Sequence, residues 1–267
     1  MSLDATEEEA VVVEPIESSA SSVVVEPIIT ETETTGSSSG VASLDGYTWD
    51  EISIISESGQ ADAYFNVGDT KTVTINGIDY IFEICAFDHD VKVSGGTAGI
   101  TFGMKGVLET SQFMNSDNTN VNGWSGSALR SYLNGIETTY GNYGSSAILY
   151  QLPADLQANI VSVIKSTSGG SNNTDLVNTE DKLFVFCDEE VTGYNYSGST
   201  LSEGSQYSIF SDSNSRIKLT PSGNESWWWM RSANNVSTKS FYGVNKSGDV
   251  SSNYAGETFG ISFAFSL

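Results

Sequence analysis

Apolar and polar positions along this chain change over in short runs, and each run predicts a short element rather than a long helix. Thr48-Trp49-Asp50-Glu51 has the spacing of a capping box and is followed by Ile52 and Ile55, so a short helix starts here. Two β-branched runs, Lys71–Ile75 and Ile78–Phe87, flank Asn76-Gly77, a strong two-residue hairpin signal. Ala128, Leu129, Tyr132, Leu133 and Ile136 share one face of a helix over Ser127–Ile136, with Gly135 near its end. Behind Pro153, which suits a first helical position, Leu156, Ile160, Val163 and Ile164 recur at helical spacing and predict a helix over Pro153–Lys165. Leu183–Cys187 is a continuous apolar run, read as a buried strand. In Ser226–Ser232, strand geometry puts Trp227 and Trp229 on one face and Trp228 on the other. Each ring removes roughly 150–250 Å² from water, so both faces need cover. The three tryptophans are therefore expected to be structural core, on a strand at the centre of the domain. Phe259, Ile261, Phe263, Phe265 and Leu267 then alternate as one face of a closing strand. Few helices and many short strands make the fold α+β.

Between those two apolar strands, Arg231–Thr258 is dominated by Ser, Asn, Gly and Tyr, the composition of an adaptable recognition surface. The candidate ligand-binding residues are Asn234, Asn235, Ser237, Lys239, Tyr242, Asn245, Lys246, Asp249, Ser251, Asn253 and Tyr254. An ordinary solvated hairpin has a similar composition, so composition alone does not select function here. Gly193–Gly204 is a second Tyr-, Ser- and Gly-rich surface stretch.

The chain divides into residues 1–45, an acidic low-complexity tail, and residues 46–267, a single domain. The tail has no Lys, Arg, Trp, Tyr or Phe and holds two copies of Val-Val-Val-Glu-Pro-Ile, at Val11–Ile16 and Val23–Ile28. It cannot build a core. Each repeat is suited to add as a short strand to a partner's sheet, with Val11, Val13, Ile16, Val23, Val25 and Ile28 as anchoring side chains and Pro ending the pairing. The 34 acidic residues against 11 basic ones give a net charge of −23, which argues against nucleic acid or an anionic membrane surface as partner. No stretch is long and apolar enough to span a bilayer, and the acidic start lacks the features of a signal peptide. Cys85 and Cys187 sit in apolar runs and read as buried thiols, with pairing undecided.

Groups for catalysis are sparse. Asp88-His89-Asp90 contains the only histidine, but adjacent residues on extended chain point apart, so hydrogen bonding rather than metal binding is expected. No phosphate-binding loop occurs. Asp188-Glu189-Glu190 and Asp175 could in principle form a glycosidase-like carboxylate pair, against the simpler reading of a solvated acidic loop. No cofactor, no metal and no enzymatic activity are expected.

Several ordered motifs resemble a known family: Trp227–Ser232 (WWWMRS), the spacing of Phe241, Val244 and Gly248, and Gly260–Phe265 (G-x-x-x-A-F). Upstream, Gly99–Lys105, Trp124–Leu133, Leu152–Leu156 and Asp181–Phe184 extend the match over roughly residues 46–267. Together they resemble an uncharacterised domain of gut bacteria and their phages with a WWLRS…GVRPAF signature. Ile261-Ser262-Phe263 stands where Val-Arg-Pro is common. The resemblance implies a C-type-lectin-like fold, two helices around a small mixed or antiparallel sheet, related to formylglycine-generating enzymes and retroelement-diversified variable proteins. In those the last segment faces the ligand. The reactive cysteine pair of the formylglycine-generating relatives is missing, since no cysteine follows Cys187. Calcium-dependent sugar binding is also not expected, because each Glu-Pro is followed by Ile rather than Asn. The implied function is a non-enzymatic binding module of a phage fibre or virion-surface protein, recognising a host-surface glycan or protein. A structural decoration protein and a carboxylate-dependent hydrolase are the alternatives. Virion structural proteins would be the tail's partners, a homotrimer the expected assembly by analogy, and the virion surface, or else the bacterial extracellular surface, the location.

Overall fold

The computed structural model describes residues 41–171, 173 and 175–267; the two Val-Val-Val-Glu-Pro-Ile repeats lie outside them. The folded unit runs from Gly40 to Leu267. Residues 41–45, read above as the end of the tail, belong to it: Ser43 bridges Thr70, and the Ala42 N–H donates to Asp69 Oδ1 at 2.8 Å.

Helix α1 is Trp49–Glu57, started by the capping box: Thr48 Oγ1 accepts from the Glu51 N–H, and the Glu51 carboxylate accepts from the Thr48 N–H at 2.8 Å. Its buried residues Trp49, Ile52 and Ser56 are spaced to share one face, and Trp49 packs edge-on against Phe102 and Phe265. A short turn, α2 (Ala61–Tyr64), leads to β1 (Thr70–Ile75) and β2 (Ile78–Phe87). Asn76 (φ 52°) and Gly77 (φ 79°) join them, both in the left-handed region that this two-residue hairpin turn requires. β3 (Ile100–Met104), wholly buried, pairs antiparallel with β2.

The next helices are α3 (Gly123–Gly126), α4 (Ala128–Asn134) and α5 (Ala154–Asn159). Ser127 caps α4 and Gly135 (φ 73°) ends it, leaving Ile136 exposed beyond the helix rather than on its apolar face. The helix expected over Pro153–Lys165 stops at Asn159. Ile160 is extended, and Val163–Ser168 is strand β4, in which Val163, Lys165 and Thr167 alternate inward. The β-branched residues Ile160, Val161, Val163 and Ile164 prefer the pleated strand to continued helix. β4 pairs with β5 (Leu176–Asp181). Then come β6 (Phe184–Val185), α6 (Asp188–Thr192), the short pair β7 (Lys218–Leu219) and β8 (Glu225–Ser226), β9 (Trp228–Ala233), β10 (Ser240–Val244), β11 (Val250–Tyr254) and β12 (Phe263–Ser266).

The architecture is thus α+β with several small antiparallel sheets. The largest has the order β1-β2-β3-β12-β6 and the next β11-β10-β9. They meet along β9: the Trp229 N–H donates to Gly260 O, the Gly260 N–H to Trp227 O, and the Arg231 N–H to Phe186 O at 2.9 Å. Trp228 and Trp229 are fully buried and Trp227 half-buried; Trp227 and Trp229 both contact Phe259, while Trp228 stacks on Phe210. The closing segment is enclosed on both sides rather than one, because Ser262, Ala264 and Ser266 are as buried as Phe263 and Phe265. Among the described residues, no helix is long and apolar enough to cross a membrane.

Candidate functional site

The β9–β10–β11 sheet presents two unlike faces. Register pairs Tyr242 with Ser252 and Phe241 with Asn253, so Tyr242, Ser252 and Tyr254 share one face while Phe241, Gly243, Ser251 and Asn253 share the other. The first face is covered at its Trp228 end by Phe210 and open at its Tyr242 end. A loop after α6 comes alongside and adds Tyr194 and Tyr196. Their rings lie 4.8 Å apart, and Tyr196 is 6.0 Å from Tyr242. Tyr194 is 63% exposed, Tyr196 41% and Tyr254 53%, so the rings form an accessible aromatic stripe beside the hairpin.

The loop is held by polar contacts at many points. Thr192 Oγ1 accepts from the Tyr194 N–H, Asp188 Oδ2 accepts from the Tyr196 N–H at 2.7 Å, and the Asn235 N–H donates to Ser197 O at 2.9 Å. Asn195 Nδ2 reaches Leu201 O, and Glu189 accepts from the Glu203 N–H. The loop that carries Tyr194 and Tyr196 is therefore pinned.

Beneath it lies a buried charge network. Arg231, fully buried, donates from both terminal nitrogens to Glu190, at 2.5 and 2.8 Å. Lys165 donates to Asp90 and to Glu190 Oε1 at 3.0 Å, and Tyr207 donates to Asp90 Oδ2 at 2.7 Å. Burial works against ionising both acids, but their charged and hydrogen-bonding neighbours prevail. Lys165 and His89 hold Asp90 well below the usual carboxylate range, and Arg231 and Lys165 hold Glu190 at about 2. Among the described residues, a second acidic pair has no such cation in hydrogen-bond contact with its carboxylates. Glu203 accepts from the Ser168 N–H at 2.9 Å and the Ser232 hydroxyl at 2.5 Å, and burial followed by the nearby charge of Asp188 pushes it up to about 7. Burial also raises Asp188, against the backbone N–H groups of Tyr196 and Glu189 that favour its charged form.

Cys187, Asp188 and Glu203 bring ligand-type atoms within 4.8 Å of one another. All three are buried, and the pair of carboxylates is already engaged by backbone and Ser232. The Cys187 thiol accepts the Glu190 N–H as the N-cap of α6 and is pushed well up by burial. The donor set suits a folded loop anchor better than a cation. Of the carboxylates considered for hydrolysis, Asp188 and Glu190 are shut away from solvent and Asp175 stands apart on the surface. His89 stacks on Tyr207 with centroids 4.0 Å apart, and its Nε2 lies 3.0 Å from Ser205 Oγ.

A family model for a domain of unknown function, DUF6273, matches residues 100–267, well over half of the chain. The chain belongs to the DUF6273 family. No curated protein and no solved structure matches it. The DUF6273 region begins at β3 and contains the tyrosine stripe, Lys165, Glu190, Arg231 and the Asp188–Glu203 pair; Asp90 and the β1–β2 hairpin precede it.

Within the DUF6273 region the structure divides the eleven candidate residues among several places. Tyr242 and Tyr254 are on the open face, where Asn234, itself buried, donates to Ser252 Oγ at 2.8 Å. Ser251 and Asn253 project to the opposite face. Asn235, Ser237 and Lys239 lie in the β9–β10 connection, and Asn245, Lys246 and Asp249 in the β10–β11 turn. Asn245 is a turn-former: its Oδ1 accepts the Ser247 and Asp249 N–H groups. Tyr194 and Tyr196 were noted in the sequence only as surface, since nothing local links them to Tyr242 forty-six residues on. Arg231 was the available hint of the network, because an arginine two residues after Trp229, on a strand expected to be buried, needs a carboxylate partner.

Proposed function

We propose that the folded unit is a non-enzymatic binding module that recognises a host-surface glycan or protein with the Tyr194–Tyr196–Tyr242 stripe and the open face of the β10–β11 hairpin. What supports this reading is the stripe itself: Tyr194 packs on Tyr196 and Tyr196 lies against Tyr242 of β10, with the first two partly exposed on a loop fixed by Asp188 and Asn235. Rigid aromatic side chains offer large contact area at small entropic cost, and polar neighbours such as Ser252 orient a ligand. A C-type-lectin-like fold and the setting of a phage fibre or virion-surface protein, with the acidic segment ahead of the folded unit as anchor and a trimeric assembly, belong to the same proposal and rest on the motif resemblance.

The test is binding of fluorescently labelled protein to a panel of gut bacteria, comparing wild type with Tyr196→Ala and Tyr242→Ala. Each substitution is expected to weaken binding about tenfold or more, or about 1.4 kcal/mol, with an unchanged melting temperature. Equal binding by all three proteins moves the site elsewhere, and binding by none favours structural decoration.

A further inference from the structure

A second concave surface lies away from the hairpin. It is an open groove of about 340 Å³ between the end of α4, the 3₁₀ turn Ile148–Gln151, α5 and the end of β5. That volume lies at the low end for small-molecule sites and suits a mono- or disaccharide. One wall is apolar: Ile136, Leu149 and the ring of Tyr150. Tyr150 is 53% exposed although its ring lies flush against Gly135, where a Cβ would come within 2.6 Å of its Cε2. Gly135 is in the left-handed conformation that ends α4, so helix termination and ring seating use the same residue.

The rest of the lining is polar and of mixed sign. Glu180 is exposed at the end of β5, and among the described residues its carboxylate makes no hydrogen bond. Lys182 lines the same wall, its Nζ only 3.4 Å from Gln157 O. The floor is preorganised, because Asn134 donates to Leu183 O at 2.7 Å and accepts from the Lys182 and Leu183 N–H groups. An acid and a base side by side give the wall no net preference for an anion or a cation. An exposed ring sharing one groove with hydroxyl-binding donors and acceptors matches a ligand with one C–H face and a polar rim, which is a pyranose sugar.

We infer that the Tyr150 groove is a binding site for a neutral hexopyranose, stacked on Tyr150 and hydrogen-bonded by Glu180 and Lys182. This does not rest on the hairpin reading, since none of its residues is shared with the tyrosine stripe. The experiment is saturation-transfer difference NMR on the full chain with the methyl glycosides of glucose, galactose, mannose, N-acetylglucosamine and N-acetylgalactosamine at millimolar concentration. At least one glycoside is expected to show saturation, with affinity lowered about tenfold by Tyr150→Ala and unchanged by Tyr150→Phe or Tyr242→Ala. If Tyr150→Ala fails to fold, Glu180→Gln, at an exposed position, is expected to give the same loss. No saturation from any of the five overturns the site, as does saturation that persists in Tyr150→Ala. Loss in Tyr242→Ala alone overturns it too, while placing the sugar on the hairpin.

Discussion

Glu203 offers a direct handle on how the loop that carries Tyr194 and Tyr196 is held. Its carboxylate faces Asp188 from α6, Ser232 and the Arg231 side chain from β9, and the Ser168 N–H from β4, and its own N–H donates to Glu189. In the fold it titrates at about 7 rather than at its ordinary 4.5, first because it is buried and next because Asp188 is close. The folded state therefore binds this proton more tightly than the unfolded chain does, so stability falls as pH rises from about 4.5 and levels off above about 7. The difference of about 2.5 pH units corresponds to about 3 kcal/mol across that window. Glu203→Gln keeps the shape: the amide oxygen can still accept from Ser168, and the amide nitrogen can donate to Ser232. Urea denaturation of both proteins near pH 4.5 and near pH 8 should show similar stability at the lower pH and a variant more stable by about 3 kcal/mol at the higher, or about 6–12 °C in Tm. Because Asp188 and Glu203 titrate as a pair, the readout is the total over both. An equal gap between variant and wild type at the two pH values would refute the reasoning.

Two other outcomes follow from the buried groups. Lys165→Met keeps the apolar stem but leaves Asp90 and Glu190 each short of a cation, so unfolding free energy at neutral pH should drop by about 3–5 kcal/mol, as measured by urea denaturation; a drop below about 1 kcal/mol would contradict the network. Cys85 and Cys187 are both free and buried, so a thiol-specific chromogenic reagent should find neither in the native protein and both in denaturant, without a reductant.

Local signals were legible in the sequence where one short stretch settles the geometry. The Thr48–Glu51 box, the Asn76-Gly77 turn, and Ser127 with Gly135 around α4 each carry their own hydrogen bonds or backbone conformation. The helix drawn through Pro153–Lys165 went wrong because Leu156, Ile160, Val163 and Ile164 fit helical spacing as well as they fit a helix followed by a strand. Lys165 then changed meaning entirely: at a helix end it would be solvated, but on β4 it is buried between Asp90 and Glu190, 75 and 25 residues away. Where the candidate site residues lie depends on distant chain in the same way. Composition marked Tyr242 and Tyr254, but neither the split of Ser251 and Asn253 to the other face nor the arrival of Tyr196 is written in local pattern. Pairing register and loop docking decide those, and both depend on distant chain.

The position of β12 sets an order of events for the molecule's own assembly. It fills the slot between β3 and β6, and its Ser266 meets Thr101, 165 residues earlier, at 2.9 Å. Until that strand arrives, β3 has an open edge and Phe102 has no Phe265 to stack on. The β1–β2–β3 meander can form early from local contacts, but the large sheet closes only in a late, long-range step, which loop-closure entropy makes slow. An unfinished chain would thus expose an apolar strand edge while it waits, the state in which aggregation competes with folding. Lesions in Phe263–Ser266 should therefore act on folding yield before they act on the stability of whatever protein is recovered.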